Sequence, residues 1–247
     1  MSLRRGPSAP PHVQASPSLD AVVASTAWAS LAPRRQLYEE DIRRLLDAGL
    51  RTMRDAGMTK SPTVSSIVAA AGVSRETFYR HFRSKDDLVA AIVQAGADRL
   101  LGYLKHQMQK ASKPEDQIRR WTEGILAQAS NAEVARTTRA VIWHGRHIRA
   151  YRPLETTSTH RALAGLLVEP LRTLGSTDPP RDSRTMTEAT MGRMESLIWE
   201  ETPPTQPDVN HLVNYFLAAI RGAADHPKPP QPHAKTRVQV PKTHAPG

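Results

Sequence analysis

Two groups of side chains in this sequence have types and spacings that could do chemistry. Arg75, Glu76, Thr77, Tyr79, Arg80 and His81 crowd one short stretch, and Lys85 follows closely. A guanidinium matches the paired acceptors on a guanine edge, whereas Thr, Tyr and Lys suit phosphate oxygens. Carried on the first turns of a helix about two turns long, such a set presents side chains to base edges. The second group is His144 and His147, with His160 further on. A spacing of three supplies two neutral ligands, but no carboxylate partner lies near them. Hydrogen-bonded histidines are the expectation there, and no metal.

Composition narrows the classes. There is no cysteine, which removes disulfides, thiolate zinc, iron–sulfur clusters and a cysteine nucleophile together. The sequence holds no Gly-rich phosphate loop, no G-x-S-x-G, no His-Glu-x-x-His and no acid pair in an evident cleft. A non-enzyme without a cofactor is therefore expected. Lys and Arg number 34 against 24 acidic residues, a formal charge of +10, which favours a polyanionic partner. No run approaches the ~18 apolar residues of a membrane-spanning helix. The segment 19–32 faintly imitates a signal peptide, but Asp20 and several Ser and Thr weaken its apolar run. A cytoplasmic protein with no membrane partner fits these features.

These side chains need elements to position them, and the hydrophobic pattern supplies helices only. Residues 1–33 are rich in Pro, Ser and Ala and read as a flexible arm. Residues 225–247 repeat that composition with Lys228, Lys235, Arg237 and Lys242, and read as a disordered, basic, Pro-rich tail. Ile42, Leu45, Leu46, Leu50 and Met53 form an apolar stripe at spacings of three and four, predicting a helix over 34–56 closed by Gly57. Further helices are expected near 85–110, 114–130, 132–148, 154–174, 183–200 and 208–222, with Pro170 inside or kinking its own. Strand signals and internal repeats are absent.

Between the first two long helices the local chemistry is specific. Thr63 can cap a short helix that turns Ile67, Val68 and Ala71 inward. Gly72 then admits a positive φ, Val73 plugs the space between helices, and Ser74 accepts from the first amides of the next helix. On that helix Phe78 and Phe82, four apart, point into a small core with Ile42, Leu45, Leu46 and Ile67. This is a helix-turn-helix over 63–82.

The run Thr77-Phe78-Tyr79-Arg80-His81-Phe82, followed by Ser84-Lys85 and Leu88, resembles the signature of the TetR family of transcriptional regulators. The resemblance spans about 36–100 and includes Ala70-Ala71-Gly72-Val73-Ser74. Val68 stands where the family usually has alanine. The resemblance implies an all-α chain: an N-terminal three-helix DNA-binding domain over 34–84, then a helical ligand-binding and dimerisation domain over 85–224. It implies double-stranded DNA as partner, a palindromic operator, a homodimer formed by the last two helices, and an unidentified small-molecule effector that releases DNA. Arg75, Thr77, Tyr79, Arg80 and His81 become the DNA-reading surface, with Lys85 and Thr63 at phosphates. Arg4, Arg5, Arg34 and Arg35 could add a minor-groove arm, against the plainer reading of an unstructured leader.

The second lobe says less. Trp121, Ile125, Val141, His144 and Leu167 sit on helices that could wall a ligand cavity, and a closed core fits their spacing equally. Arg136, Arg139 and Arg146 share a face with Trp143, which reads as solvated rather than as an anion pocket. Met194, Ile198, Leu212, Phe216 and Ile220 give the last two helices more apolar surface than two short helices can hide, which points to a second copy, the alternative being that both helices cover the core of their own chain. An architectural, non-specific DNA binder without a ligand switch is the alternative function.

Overall fold

A computed structural model describes the backbone of residues 19–148 and 153–225, and the side chains of 34–148 and 158–222. Among the described residues the chain is all helix. It divides into two compact units, residues 1–92 and 93–247, so the division falls inside a helix.

The first unit holds α1 (Leu19–Ala56), α2 (Val64–Ala71), α3 (Arg75–His81) and the start of α4 (Lys85–Gln109). The expected stripe of α1 packs inward: Leu45, Ala48 and Met53 are fully buried with Ile67, Phe78 and Leu88. Gly49 leaves room for α4 side chains against α1, since a Cβ there would meet Ile92 Cδ1 at 2.7 Å and Leu88 Cδ2 at 3.0 Å. The helix starts earlier than the pattern suggested. Residues 19–33, read from sequence as part of an arm, continue α1 on the backbone. Ala21, Ala24, Ala27, Ala29 and Ala32 favour helix intrinsically, although they form no clear apolar stripe. Arg51 donates from Nη2 to the carbonyl of Ala70 at 3.3 Å, satisfying one of the last carbonyls of α2.

The second unit contains the rest of α4, then α5 (Pro114–Leu126), a short 3₁₀ turn over Ala127–Ala129, and α6 (Ala132–Arg146). It closes with α7 (Pro153–Gly165), α8 (Val168–Thr173), α9 (Pro179–Trp199) and α10 (Gln206–Asp225). Prolines open helices where their missing N–H is harmless: Pro114 in α5, Pro179 and Pro180 in α9, Pro207 in α10. The single helix expected over 154–174 is two. The break between α7 and α8 puts Pro170 in the first turn of α8, where no intrahelical amide is required.

One apolar core fills this unit. Trp121, Ile125 and Leu126 of α5 meet Leu163 and Leu167, Met194 and Ile198 of α9, and Val213, Phe216 and Ile220 of α10. The indole Nε1 of Trp121 donates to the carbonyl of Leu163 at 3.2 Å, so its polar end is satisfied inside the core. Gly124 permits α5 to lie on α4, because a Cβ there would approach Leu104 Cδ2 to 2.4 Å.

A polar clasp joins the ends of α9 and α10. Arg193 Nη2 donates to Asp208 Oδ1 at 2.9 Å, and Asp208 Oδ2 also accepts from the amide and hydroxyl of Thr205. The Thr205 hydroxyl chiefly, then Arg193, holds the Asp208 carboxyl down to about 2, from an ordinary 3.8. A carboxyl depressed by folding contributes stability that is complete above its unfolded value and lost as pH falls through its folded value. The Asp208 contribution is therefore present above pH ~4 and disappears towards pH 2. Asp208→Asn should lower the melting temperature at pH 7, and the gap from wild type should close as melts are repeated down to pH 2.

Candidate nucleic-acid interface

The short helices α2 and α3 are fixed by their ends. Thr63 and Ser66 exchange bonds at the start of α2: Thr63 Oγ1 accepts from the Ser66 amide at 3.1 Å, and Ser66 Oγ accepts from the Thr63 amide at 3.1 Å. Two orphan donors are thereby satisfied reciprocally. Gly72 ends α2 at φ 66°, ψ 36°, the left-handed conformation glycine adopts without strain. Ser74 caps α3, its Oγ accepting from the Thr77 amide at 3.0 Å. Phe78, fully buried, and Phe82, with ring centroids 5.9 Å apart, anchor α3 to the core.

With that anchor set, the outward face of α3 follows. Arg75 is exposed at the first turn, Tyr79 is 52% exposed, and Arg80 is exposed with Glu76 beside it at 3.6 Å. Thr77 is half-buried, its Oγ1 3.0 Å from Ser74 Oγ. Lys85 opens α4 half-buried, beside Ser84, whose Oγ accepts from the Asp87 amide at 3.2 Å. Thr63 is exposed at the start of α2.

His81 departs from the expectation. Its side chain is 7% exposed, packed edge-on to Tyr38 with ring centroids 5.4 Å apart, and its Nε2 lies 3.7 Å from Asp41 Oδ2. Three residues after Phe78, it lies over the same face of α3 and turns towards α1 instead of away from the unit. His81 is thus corrected from a DNA-reading residue to one that seats α3 on α1. Arg34 and Arg35 are exposed on α1, and Arg35 is engaged with Glu39 at 3.3 Å. Arg4, Arg5 and the basic tail lie outside the described residues.

In the second unit, Trp121, Ile125 and Leu167 come together in the core as their spacing suggested. Val141 and His144 are on α6, with His144 buried and Val141 half-buried, and neither belongs to that cluster. Among the described residues no group of three His, Cys, Asp or Glu is placed to hold a metal ion. His147 stacks on Trp143 at 4.2 Å between ring centroids, its Nδ1 2.6 Å from the Trp143 carbonyl oxygen.

The surface argued for a second copy also needs correcting. Met194, Ile198, Phe216 and Ile220 are buried within one chain, and Leu212 is half-buried against the same core. They cover α5 and one another, so their apolar character does not call for a partner. The outer faces of these helices are different residues. On α10, His211, Tyr215, Ala218, Ala219 and Gly222 form an exposed, uncharged stripe, with Tyr215 65% exposed. On α9, Thr185, Ala189, Gly192 and Trp199 are exposed along one side.

The helix-turn-helix defines a class of DNA-binding element, and known proteins resemble the chain there. Residues 45–92 match the family described as bacterial regulatory proteins, tetR family, a segment that holds the helix-turn-helix. A relative from Mycobacterium tuberculosis, the HTH-type transcriptional regulator AlkX, is 39% identical over 82 residues. That match covers 31% of this chain and 39% of the relative's length, so it spans well under half of that protein. The fold extends further than the sequence match. A chain from Pseudomonas aeruginosa PAO1 assigned to transcriptional regulation superposes with a TM-score of 0.61 at 19% identity, covering 74% of this chain and 92% of its own. The fatty acid degradation regulator FadR from Bacillus halodurans does so with a TM-score of 0.53 at 18% identity, covering 73% and 97%. No helix of the described residues is long and apolar enough to cross a membrane.

Proposed function

We propose that this chain is a regulator of the TetR type that binds a palindromic operator as a homodimer through α3 and releases it when a small molecule occupies the second unit. The observation that carries the DNA reading is the face of α3: Arg75, Tyr79 and Arg80 are exposed beside one another while Phe78 alone is fully buried. A helix anchored by one face and presenting guanidinium and phenol groups on the other fits a major groove. Thr77 lies at its edge, and Thr63 and Lys85 flank it at two other helix starts, where phosphate oxygens can be met. Tyr215, Ala218 and Gly222 on α10, with Gly192 on α9, supply small and aromatic surface for a two-fold contact. Two recognition helices would then address successive major grooves about 34–36 Å apart.

The response to an effector rests on α4, a continuous helix whose first turns belong to the first unit and whose remainder belongs to the second. In the second unit α4 is packed closely by two helices. Gly124 of α5 sits beneath Leu104, and a Cβ on Gly145 of α6 would stand 3.1 Å from Val93 Cγ2. A ligand that separates α5 or α6 from α4 must bind that displaced state better than the DNA-competent one, since equal affinity shifts nothing. Operator must then weaken ligand binding by the same factor.

Selection of binding sites from random duplex DNA, followed by titration at several salt concentrations, tests the reading. Wild type should hold a selected site at least ~1,000-fold more tightly than random duplex at physiological salt. Arg75→Ala and Arg80→Ala should each cost about 1–3 kcal/mol at selected sites and relax base preference. Lys85→Ala should weaken all sequences alike and flatten the salt slope by about 1. Equal affinity for selected and random duplex would replace the operator reading with non-specific, architectural binding.

A further inference from the structure

The arginine face of α6 is not simply solvated. Arg146 Nη2 donates to Glu195 Oε2 of α9 at 2.6 Å, and Arg139 Nη1 donates to Glu201 Oε1 just beyond the end of α9 at 2.6 Å. The two pairs differ. Glu195 lies within the helix, whereas Glu201 sits at φ 55°, the only non-glycine residue with a positive φ among those described. It occupies the position after the last turn of α9 at which glycine is the usual residue, and the Thr202 amide closes the turn on the Leu197 carbonyl at 3.0 Å. A side chain there carries a conformational cost that glycine does not. What Glu201 gains is Arg139: the hydrogen bond first, and then the charge, hold its carboxyl below the ordinary range.

Arg139 is nevertheless incompletely satisfied. It is 18% exposed, and its Nε is buried with no hydrogen-bond partner, while its partner Glu201 is 71% exposed. Buried N–H groups without an acceptor are rare in folded proteins. The guanidinium also lines a cleft of about 250 Å³, together with Arg136, Asn131 and the apolar Ala132, Ala135, Leu197 and Pro203. Arg136 and Arg139 thus line, with Glu201, a cleft whose remaining wall is mostly apolar.

We propose that this cleft is a binding site for a small monocarboxylate, whose carboxylate displaces Glu201 from Arg139. The displacement exchanges one charge-assisted contact for another, so the ion pair itself is not lost. The incoming group need not bond through a single oxygen. A planar fork accepts a carboxylate through two parallel N–H donors, including the Nε that Glu201 leaves unmet. The apolar carbon of the acid lies against Ala132, Leu197 and Pro203. Release of Glu201 also frees the left-handed residue at the end of α9 from its tether. The site lies wholly in the second unit, and its occupancy is independent of the DNA reading.

Calorimetric titration of the full chain with sodium benzoate, and with benzamide as the uncharged isostere, tests this. Wild type should bind benzoate saturably at one site and benzamide at least ~10-fold more weakly, since hydrogen bonds to charged groups are the stronger ones. Glu201→Gly removes the internal competitor at a left-handed position that glycine suits, so it should fold and bind benzoate at least ~10-fold more tightly. Arg139→Gln should abolish binding. Should that variant fail to fold, Arg136→Gln, a change at an exposed residue, should weaken benzoate selectively over benzamide. Benzoate and benzamide binding alike, unchanged affinity in Glu201→Gly, or no saturable benzoate binding to either protein would each overturn the site.

Discussion

Ala218→Arg should convert the protein from a species of twice the chain mass to a single chain in sedimentation equilibrium, with its helical circular dichroism unchanged. Ala218 is exposed in the single chain, between Tyr215 and Gly222 on the uncharged outer stripe of α10. A guanidinium there leaves the chain's own core untouched. Pressed into a two-fold interface, it meets its own symmetry mate and is desolvated without a partner, which costs several kcal/mol. Each ~1.4 kcal/mol is tenfold in dissociation, so at least ~100-fold weaker dimerisation is expected. Operator affinity should fall with it, because two half-sites are then read by independent chains. Phe216→Glu is the informative contrast. Phe216 is buried with Ile125 and Met194, so a carboxylate there should lower the melting temperature whatever the assembly does. A single-chain mass for wild type, or an unchanged dimer for Ala218→Arg, would remove this face from the dimer.

The contrast between Ala218 and Phe216 shows where sequence reading stops. Helical periodicity identifies which face of α10 is apolar, and the structure buries that face at Val213, Phe216 and Ile220. Periodicity does not say whether the face meets the same chain or another one. The five apolar positions expected to meet a partner belong to the chain's own core with α5, which only tertiary packing reveals. The helix-turn-helix was legible for the opposite reason. Thr63, Gly72 and Ser74 act within a few residues of themselves, so spacing alone carries their roles. His81 had a readable signal that the chemical appeal of its side chain obscured, since it follows Phe78 by three and precedes Phe82 directly. The Arg139 pair had none: its partner is 62 residues away, held at a backbone conformation that no pattern for Glu announces.

Phe78→Ala should melt the first unit at a lower temperature while the second keeps its own transition. Only one residue of α3, Phe78, is fully buried, and it meets α1 and α2 where Leu45 and Ile67 are also fully buried. A phenylalanine deleted from a packed core costs about 3–5 kcal/mol, the transfer of the ring plus the cavity left behind. His81 and Phe82 hold only the last turn, whereas along the rest of the helix Arg75, Glu76, Tyr79 and Arg80 are exposed and Thr77 is engaged with Ser74. The second unit has a separate core around Trp121, with Leu104, Leu167 and Ile198, and contains none of these residues. Thermal melts followed by far-ultraviolet circular dichroism should therefore show an early partial loss of helix in the variant. Trp121 fluorescence should follow the later transition. DNA binding should vanish above the first transition while benzoate binding at Arg139 survives it. One unchanged, concerted transition in Phe78→Ala would show that α3 is held by something other than its aromatic anchor.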